Sequence, residues 1–352
     1  MHDRDTLTSK KRRDILAMGC AAAGLSLVGA PARAQSGELS VANWGGDWND
    51  RTVKFVEAPL VESKGIKIVR TLNLEPERKT KLLAERNLPR GTIDVAHFSA
   101  GDAFELNEQD ILEKLDASRI PNLANVRAGL ATPYFVPWVF GAVTLAYNPK
   151  FVKDAPKSFA DLWDPKYAGK VGVLDQSFYN WVYMAALVGG GKMSNVDAAF
   201  PKLAEMKKSI KPRLYPTHQH LAAGFTNEEV WISANYSARL AQWARDGVPV
   251  RSAYPKEGAV TIVFGATMPK KARNKDAAYF YLNALLDPKA LGAYSQASMY
   301  APSTTNAQLP DDVRAAIDFT PAQTATLNNP DYGYQAKSIA RWQEWWNKEF
   351  KA

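Results

Sequence analysis

The sequence predicts an α/β protein whose two lobes are joined by two extended segments. Apolar β-type runs alternate with amphipathic helical segments along most of the chain, a pattern typical of parallel strand–helix–strand units. Two long extended segments, at 134–150 and 251–269, lie on either side of one such series. With 352 residues, 46% of them hydrophobic, the chain is long enough for two globular cores. We therefore expect mixed sheets in two lobes with two crossover strands.

The first part of the chain predicts three strands, each followed by a helix. Asp47 is a residue type that caps helices and lies near the start of the first helix, and Pro76 suits the first turn of the second. This spacing predicts right-handed parallel units. The predicted strands are 39–44, 66–72 and 93–97, and the predicted helices are 47–63, 75–86 and about 102–108.

A second α/β series and an amphipathic tail follow the first extended segment. The tail, "SIARWQEWWNKEF", places aromatic residues at helical spacing, and we expect it to dock on a lobe. In the second series the predicted strands are 170–174 and 230–234, and the predicted helices are 178–188 and 196–208. The predicted domains are a first lobe of 37–140 and 261–305, a second lobe of 141–260, and C-terminal helices over 306–352.

Residues 1–34 predict an export signal. A basic cluster at 10–13 includes a twin arginine, an apolar stretch follows it, and an Ala-x-Ala pattern ends at Ala34. We expect cleavage after Ala34 and a periplasmic mature protein without a membrane-inserted segment. A glycine precedes Cys20, as in lipoproteins, but little apolar sequence separates it from Asp14. Whether Cys20 is ever lipidated stays open.

The charge of the chain argues against nucleic-acid binding. The formal net charge is +8, and residues 1–34 contain six Lys or Arg and three Asp or Glu, so their removal leaves +5. This excess is spread along the sequence and forms neither a basic stripe nor a basic amphipathic helix. Since Cys20 is the one cysteine, the chain after Ala34 cannot form a disulfide.

The chain after residue 34 has few motifs that indicate catalysis. It contains no G-x-S-x-G, no H-E-x-x-H and no dinucleotide-binding glycine pattern after a strand. "GGGKMS" at 189–194 resembles a phosphate loop but has Met193 where that loop needs Ser or Thr. His218 and His220 have a spacing that can bind metal, or they belong to a polar turn or helix start after Pro216. We expect no enzymatic activity, no metal site and no cofactor.

Several aromatic residues fall at strand ends, turns or crossovers. In an open α/β sheet such positions face the crevice where ligands bind. Rings that meet there can enclose a small solute, and their faces can hold a cation with ~1–2 kcal/mol. Each ring alone could equally belong to the core. The set is Trp44, Trp48, Tyr134, Trp138, Tyr236, Tyr254 and Tyr300.

Five stretches resemble the polyamine-binding branch of periplasmic substrate-binding proteins, which serve ABC importers of the spermidine/putrescine type. The resemblance covers nearly the whole chain after residue 34, and the stretches occur in the order and at the spacing of the family. The resemblance implies a type II periplasmic-binding-protein fold that closes over a solute, an inner-membrane permease as partner, and a monomer. The stretches are "NWGGDW", "AYNPK" with "SFADLWDPKYAGKVGVLD", "EEVWISANYS", "YPKEGAV" with "MPKKARNKDAAYFYLNALLDP", and "MYAPSTTNA".

The resemblance also implies a solute site. Trp44 and Trp48 stand on either side of the Gly45-Gly46 turn and correspond to aromatics that line the site in relatives. Asp47 either caps its helix or contacts an ammonium group, and Ser99 either orients the solute or is a plain turn residue. The predicted ligand-binding residues are Trp44, Asp47, Trp48, Ser99, Tyr236, Arg239 and Tyr300.

The chain departs from the polyamine binders at their acidic residues. The segment that is W-V-D in relatives is Ile-Val-Phe here, at 262–264, and Asp175 is the one acid near its strand. Arg239 stands where another acid is common, although it could also be a solvated helix residue. A buried amine without its counter-charge loses several kcal/mol, whereas a guanidinium suits a carboxylate. We therefore expect a polyamine-like, zwitterionic or carboxylate-bearing solute, with an acidic group favoured over spermidine itself.

Two other functions are weaker hypotheses. A ferric-ion binder of this fold would use adjacent tyrosines, and the chain has no Tyr-Tyr pair. A secreted enzyme would need a nucleophile beside a base, and the few histidines after residue 34 have no evident nucleophile next to them.

Overall fold

The computed structural model describes residues 37–352. The predicted export signal, the cleavage site after Ala34, and Cys20 lie outside these residues. The strands are β1 (Gly37–Asn43), β2 (Ile66–Leu72), β3 (Val95–Ser99), β4 (Val136–Tyr147), β5 (Gly172–Leu174), β6 (Arg213–Tyr215), β7 (Ile232–Tyr236), β8 (Arg251–Ala253), β9 (Val260–Thr267) and β10 (Ala301–Pro302). The helices are α1 (Asp47–Thr52), α2 (Glu75–Glu85), α3 (Ala100–Glu108), α4 (Phe178–Val188), α5 (Ala199–Ser209), α6 (His218–Thr226), α7 (Ser237–Arg245), α8 (Lys275–Leu285), α9 (Pro288–Ser298), α10 (Asp311–Ile317), α11 (Pro321–Thr324) and α12 (Tyr332–Trp345). Helices α1 and α12 continue as π-helical turns over Val53–Val61 and Trp346–Lys351.

The sheets are mixed, as the sequence predicts. One group of strands has the order β2-β1-β3-β9-β4-β10, in which β1 is parallel to β2 and β3 while β9 is antiparallel to β3 and β4. The carboxyl half of β4 pairs instead with β7 and β8, and a bridge from Val171 to Ile232 joins β5 and β6 to β7. We call the first group the first lobe and the second group the second lobe.

The long strand β4 passes from one lobe to the other, and every one of its residues is buried. The second extended segment differs from the prediction, because it is two strands with a turn between them. Gly258 in this turn has φ +82°, and a Cβ atom there would lie 1.8 Å from the Thr326 carbonyl oxygen. A side chain therefore cannot be accommodated where the segment changes direction. The lobe boundaries at 140 and 260 stay a prediction.

Two strands lie two residues further along the chain than predicted. The sequence predicts strands at 93–97 and 230–234, and β3 and β7 end instead at Ser99 and Tyr236. The Asp94 carboxylate accepts hydrogen bonds from the backbone N–H groups of Ser40 and Arg273. Asp94 therefore links β1 to the segment before α8, and β3 begins at the next residue. Both shifts place a candidate site residue at the carboxyl end of a strand.

The C-terminal helix packs its aromatic face on the second lobe. Trp342 lies 5.5 Å from Tyr183 of α4 between ring centroids, and Trp346 lies 5.8 Å from Phe178. The indole N–H of Trp346 also donates to Asp175 over 2.8 Å. Within residues 37–352, no helix combines the length and the apolar character that crossing a membrane requires.

Candidate functional site

Four aromatic rings from both lobes meet around the ring of Phe264 of β9, which makes a group of five rings. We call them the ring cluster. They pack edge to face, in a geometry worth about 0.5–1.5 kcal/mol per pair beyond the burial of their area. Tyr236 comes from the second lobe and the other rings from the first. The centroid distances from Phe264 are 5.5 Å to Trp44, 5.6 Å to Trp48, 5.7 Å to Tyr300 and 6.0 Å to Tyr236.

The Gly45-Gly46 turn positions the two indoles of this cluster. Gly46 has φ +63° and ψ −145°, a backbone region that is essentially restricted to glycine, and α1 begins at the next residue. The turn brings the Trp44 and Trp48 centroids to 4.8 Å. The glycines allow the turn that brings both indole rings into contact with each other and with Phe264.

Asp47 does not cap α1, which corrects one of the two predicted roles. It is the first helical residue, and its side chain makes no capping hydrogen bond. Its carboxylate lies 2.8 Å from Arg51 and 3.5 Å from Nη1 of Arg239 on α7. The Arg239 side chain is 21% exposed, and the same Nη1 donates to Gln242 over 3.1 Å. Asp47 and Arg239 thus form a contact between the lobes, and Arg239 is not a solvated helix residue.

Ser99 is adjacent to the ring cluster through the sheet. It is the last residue of β3 and pairs with Phe264 in the antiparallel ladder between β3 and β9. Its hydroxyl caps α3 by accepting from the Asp102 N–H, and its own N–H donates to the carboxyl of Glu75. The side chain of Ser99 is therefore engaged in capping, while its backbone positions a carboxyl group.

Hydroxyl groups converge on Tyr236 on the side of the second lobe. The Tyr236 hydroxyl lies 3.1 Å from Ser177 Oγ and 3.3 Å from the Tyr179 hydroxyl. Burial raises the pKa of both tyrosines, so the hydroxyls keep their protons at neutral pH. They form a neutral polar wall beside the rings.

Three of the aromatic residues predicted to face the crevice lie outside the ring cluster. Trp138 is fully buried beneath the cluster, 5.7 Å from Trp48. Tyr134 packs against a separate group of buried apolar residues in the first lobe. The Tyr254 hydroxyl donates to the Gln323 carbonyl over 2.8 Å at the C-terminal segment. Tyr134 and Tyr254 therefore do not belong to the ring cluster.

Two charged or titratable side chains are buried behind Trp44. The Cζ atom of Arg78 lies 4.6 Å from the centroid of the Trp44 ring, and the Arg78 side chain is fully buried. Burial lowers the Arg78 pKa to about 10, against the opposing effect of Glu75. His97 lies 6.4 Å from Trp44, and burial followed by the Arg78 charge lowers its pKa to about 3. At neutral pH the site therefore contains a buried guanidinium and an uncharged imidazole.

His218 and His220 lie in the first turn of α6. The Thr217 side chain caps α6 by accepting from the His220 N–H. His218 is buried 5.1 Å from the Tyr236 ring, whereas His220 is exposed. Among residues 37–352, no group of three or more His, Cys, Asp or Glu is arranged to hold a metal ion.

The sequence prediction missed three residues of this site, namely Glu75, Tyr179 and Phe264. In the sequence, Phe264 stands out only as a residue that replaces a carboxylate, and its central place depends on the ladder between β3 and β9. Nothing in the local pattern of α2 distinguishes Glu75 from Glu77. Tyr179 could have been found from its place two residues after Ser177, at the start of a helix that follows a strand.

Two cavities lie away from the ring cluster. One of about 230 Å³ lies between the end of α2 and the loop after β9, and one of about 190 Å³ lies between α7 and the segment of α10 and α11. In the cluster itself the rings contact one another directly. A solute that enters between Tyr236 of the second lobe and Phe264 of the first, whose ring centroids lie 6.0 Å apart, must separate the lobes.

Comparison with known proteins gives consistent matches. The family model described as bacterial extracellular solute-binding protein matches residues 58–321. The spermidine/putrescine-binding periplasmic protein of Escherichia coli K12 is 24% identical over 301 residues, which are 79% of this chain and 80% of the relative. The gamma-aminobutyric acid-binding protein of Pseudomonas aeruginosa is 26% identical over 318 residues, which are 85% and 88% of the two chains.

A solved structure agrees in fold. An ABC transporter substrate-binding protein from Bradyrhizobium japonicum superposes with a TM-score of 0.77 at 24% identity, over 89% of this chain and 99% of that one. The architecture is therefore the two-lobed type II periplasmic-binding-protein fold that the sequence predicts.

Proposed function

This chain belongs to the family of bacterial extracellular solute-binding proteins, and we propose that its solute is a small molecule with a carboxylate, such as an ω-amino acid. The observation that supports this proposal is the place of Arg239. It lies three residues after Tyr236 of the ring cluster and 3.5 Å from Asp47, which precedes Trp48. The rings would enclose the apolar part of the solute while the guanidinium binds its carboxylate.

The guanidinium of Arg239 can bind the carboxylate of such a solute. A guanidinium offers five N–H donors in a planar fork that matches a carboxylate. Its contact with Asp47 is long, and the Asp47 side chain is 47% exposed, so this ion pair contributes little. A solute carboxylate can therefore replace Asp47 at small cost.

A polyamine has fewer partners here than in its known binders. Asp175, the one acid near the end of β5, accepts from Trp346 Nε1 and lies 2.7 Å from Lys351 Nζ. Phe264 occupies a position that is acidic in the polyamine binders. Two of the relatives' names refer to spermidine/putrescine and to gamma-aminobutyric acid (GABA), and GABA combines one carboxylate with one ammonium group.

Capture and release complete the proposed cycle. A solute that binds the closed arrangement better than the open one shifts the lobes toward closure. We expect a monomer that presents the closed form to an inner-membrane permease and releases the solute chemically unchanged. NMR of solute recovered after incubation tests the last point, because a new product would indicate an enzyme.

Calorimetric titration with GABA, butyrate and putrescine tests the choice of solute. We expect GABA to bind, and Arg239→Gln to weaken it by about 10- to 100-fold, since hydrogen bonds between charged groups are lost. Arg245→Gln on the same helix is the matched control and should leave the affinity unchanged. Tight putrescine binding without any response to GABA or butyrate would contradict the proposal.

We also propose that residues 1–34 direct export by the twin-arginine route and are removed after Ala34. These residues precede the described part of the chain. The intact mass of protein recovered from the periplasm tests this proposal. A mass that includes residues 1–34, or a lipid on Cys20, would contradict it.

A further inference from the structure

We propose that Glu75 binds the ammonium group of the solute, so that a zwitterion is held between Glu75 in the first lobe and Arg239 in the second. This inference rests on the proposed function and adds the second charge of the solute. Glu75 occupies none of the acidic positions at which this chain differs from the polyamine binders.

The carboxyl of Glu75 lies beside the ring cluster. Glu75 is the first residue of α2, and its Oε1 accepts a hydrogen bond from the N–H of Ser99. Ser99 is the ladder partner of Phe264, the central ring of the cluster. The next turn of α2 carries Arg78, whose guanidinium lies against Trp44. The ends of α2 and β3 thus place one carboxyl at the edge of the aromatic wall.

The other acids near the cluster already have cationic partners. Asp47 lies 2.8 Å from Arg51, Asp102 lies 3.0 Å from Lys79, and Asp175 is paired with Lys351. These three carboxylates are therefore neutralised within the protein.

Glu75 differs from these acids. Within residues 37–352, Glu75 makes no ion pair, and the hydrogen-bond donor to its carboxyl is Ser99. The residue as a whole is partly exposed, and its carboxyl, which lies against Ser99, has no cationic partner within hydrogen-bond distance. An ammonium group placed there would contact a carboxylate on one side and the aromatic face on the other, both of which favour a cation.

The surroundings of Glu75 make its charge sensitive to pH near neutrality. Burial and the Asp102 carboxylate raise the pKa of Glu75 to about 7, while Arg78 and the Ser99 N–H act in the opposite direction. From the second lobe, Tyr179 and Tyr236 are near enough for the Glu75 charge to help raise the pKa of their hydroxyls, which stay uncharged. An ammonium group binds better to the ionised carboxylate, so the affinity for a cation should increase as the pH rises through 7.

Titrations with GABA and butyrate at pH 6 and pH 8 test this role, since the two probes differ by the ammonium group. In the wild type we expect the GABA affinity to rise by several-fold between these pH values while the butyrate affinity does not. Glu75→Gln should weaken GABA by about tenfold or more, abolish its pH dependence and leave butyrate unchanged. Glu77→Gln, on the same helix, is the matched control.

The outcomes separate the two proposals. If Glu75→Gln binds GABA with the affinity and the pH profile of the wild type, the role of Glu75 is overturned and the proposed function is not. Equal loss of GABA and butyrate in Glu75→Gln would also overturn it, because a merely structural residue affects both probes. If Glu75→Gln does not fold, the titrations of the wild type with GABA and butyrate still test the role of Glu75. Equal pH dependence of the two affinities would contradict the proposal. Failure of the wild type to bind either probe would overturn the proposed function itself.

Discussion

His97 is buried beside Trp44, and His218 is buried beside Tyr236. Burial and a neighbouring arginine, Arg78 for His97 and Arg239 for His218, lower the pKa of each imidazole to about 3. The usual histidine pKa is about 6.5, which applies to the unfolded chain. Because the folded value is lower, the stability contribution is complete above about pH 6.5 and is lost as the pH falls toward 3. Both histidines therefore make the folded protein sensitive to acid.

We predict that His218→Gln reduces this sensitivity. Because the buried imidazole stays neutral while the unfolded chain takes up a proton, the free energy of unfolding should fall by about 1–2 kcal/mol per buried histidine between pH 7 and pH 5. The variant lacks the contribution of His218 to this loss. Urea unfolding at the two pH values measures the difference. His220→Gln, two residues along the same helix and exposed, is the control and should behave like the wild type. A variant that loses as much stability as the wild type between pH 7 and pH 5 would refute the burial argument.

At the scale of elements, the turn between β1 and α1 sets the direction of the two indoles. We predict that Gly46→Ala lowers stability by about 1–3 kcal/mol, because the backbone at φ +63° and ψ −145° is strained for any residue with a Cβ atom. Solute affinity should fall as well, since relief of that strain moves Trp44 and Trp48.

The neighbouring glycine provides the control for this prediction. A Cβ atom at Gly45 would lie 3.8 Å from the Leu72 Cβ atom, an ordinary van der Waals distance. Gly45→Ala should therefore change stability little. Thermal unfolding and GABA titration of the two variants make the comparison, and equal effects at both glycines would show that backbone conformation is not the cause.

At the scale of the whole molecule, the proposed site takes residues from both lobes. Trp44, Trp48, Phe264 and Tyr300 come from the first lobe, while Tyr236 and Arg239 come from the second. Because Tyr236 lies 6.0 Å from Phe264 of the other lobe between ring centroids, we expect an open arrangement to be populated when a solute enters between them. Binding energy can favour the closed form only by the difference in affinity between the two forms.

We predict that GABA compacts the protein in solution. Small-angle X-ray scattering should give a smaller radius of gyration at saturating GABA than without solute, because closure brings the lobes together. Arg239→Gln at the same GABA concentration should show a smaller change, since it binds less. Identical scattering curves for the wild type with and without a solute that calorimetry shows to bind would contradict closure.

The sequence by itself determined the strand–helix alternation of the first part of the chain, the β1–α1 turn and the class of protein. Apolar periodicity and the glycine pair are local properties, and local patterns set backbone conformation directly. They placed Trp44, Trp48, Tyr236 and Tyr300 near strand ends, and the structure brings these four together. The resemblance of five stretches to a known family indicated the fold and the binding function.

Only the tertiary structure decided which polar groups accompany the rings. Glu75 and Glu77 look alike in sequence, and Ser99, 24 residues away, hydrogen-bonds to the first. Asp175 is removed from the site by Trp346, 171 residues further along the chain. Phe264 becomes central through a ladder with β3. Such contacts depend on how distant elements pack, and local propensity contains no information about the charge or hydrogen-bond partner that packing will supply.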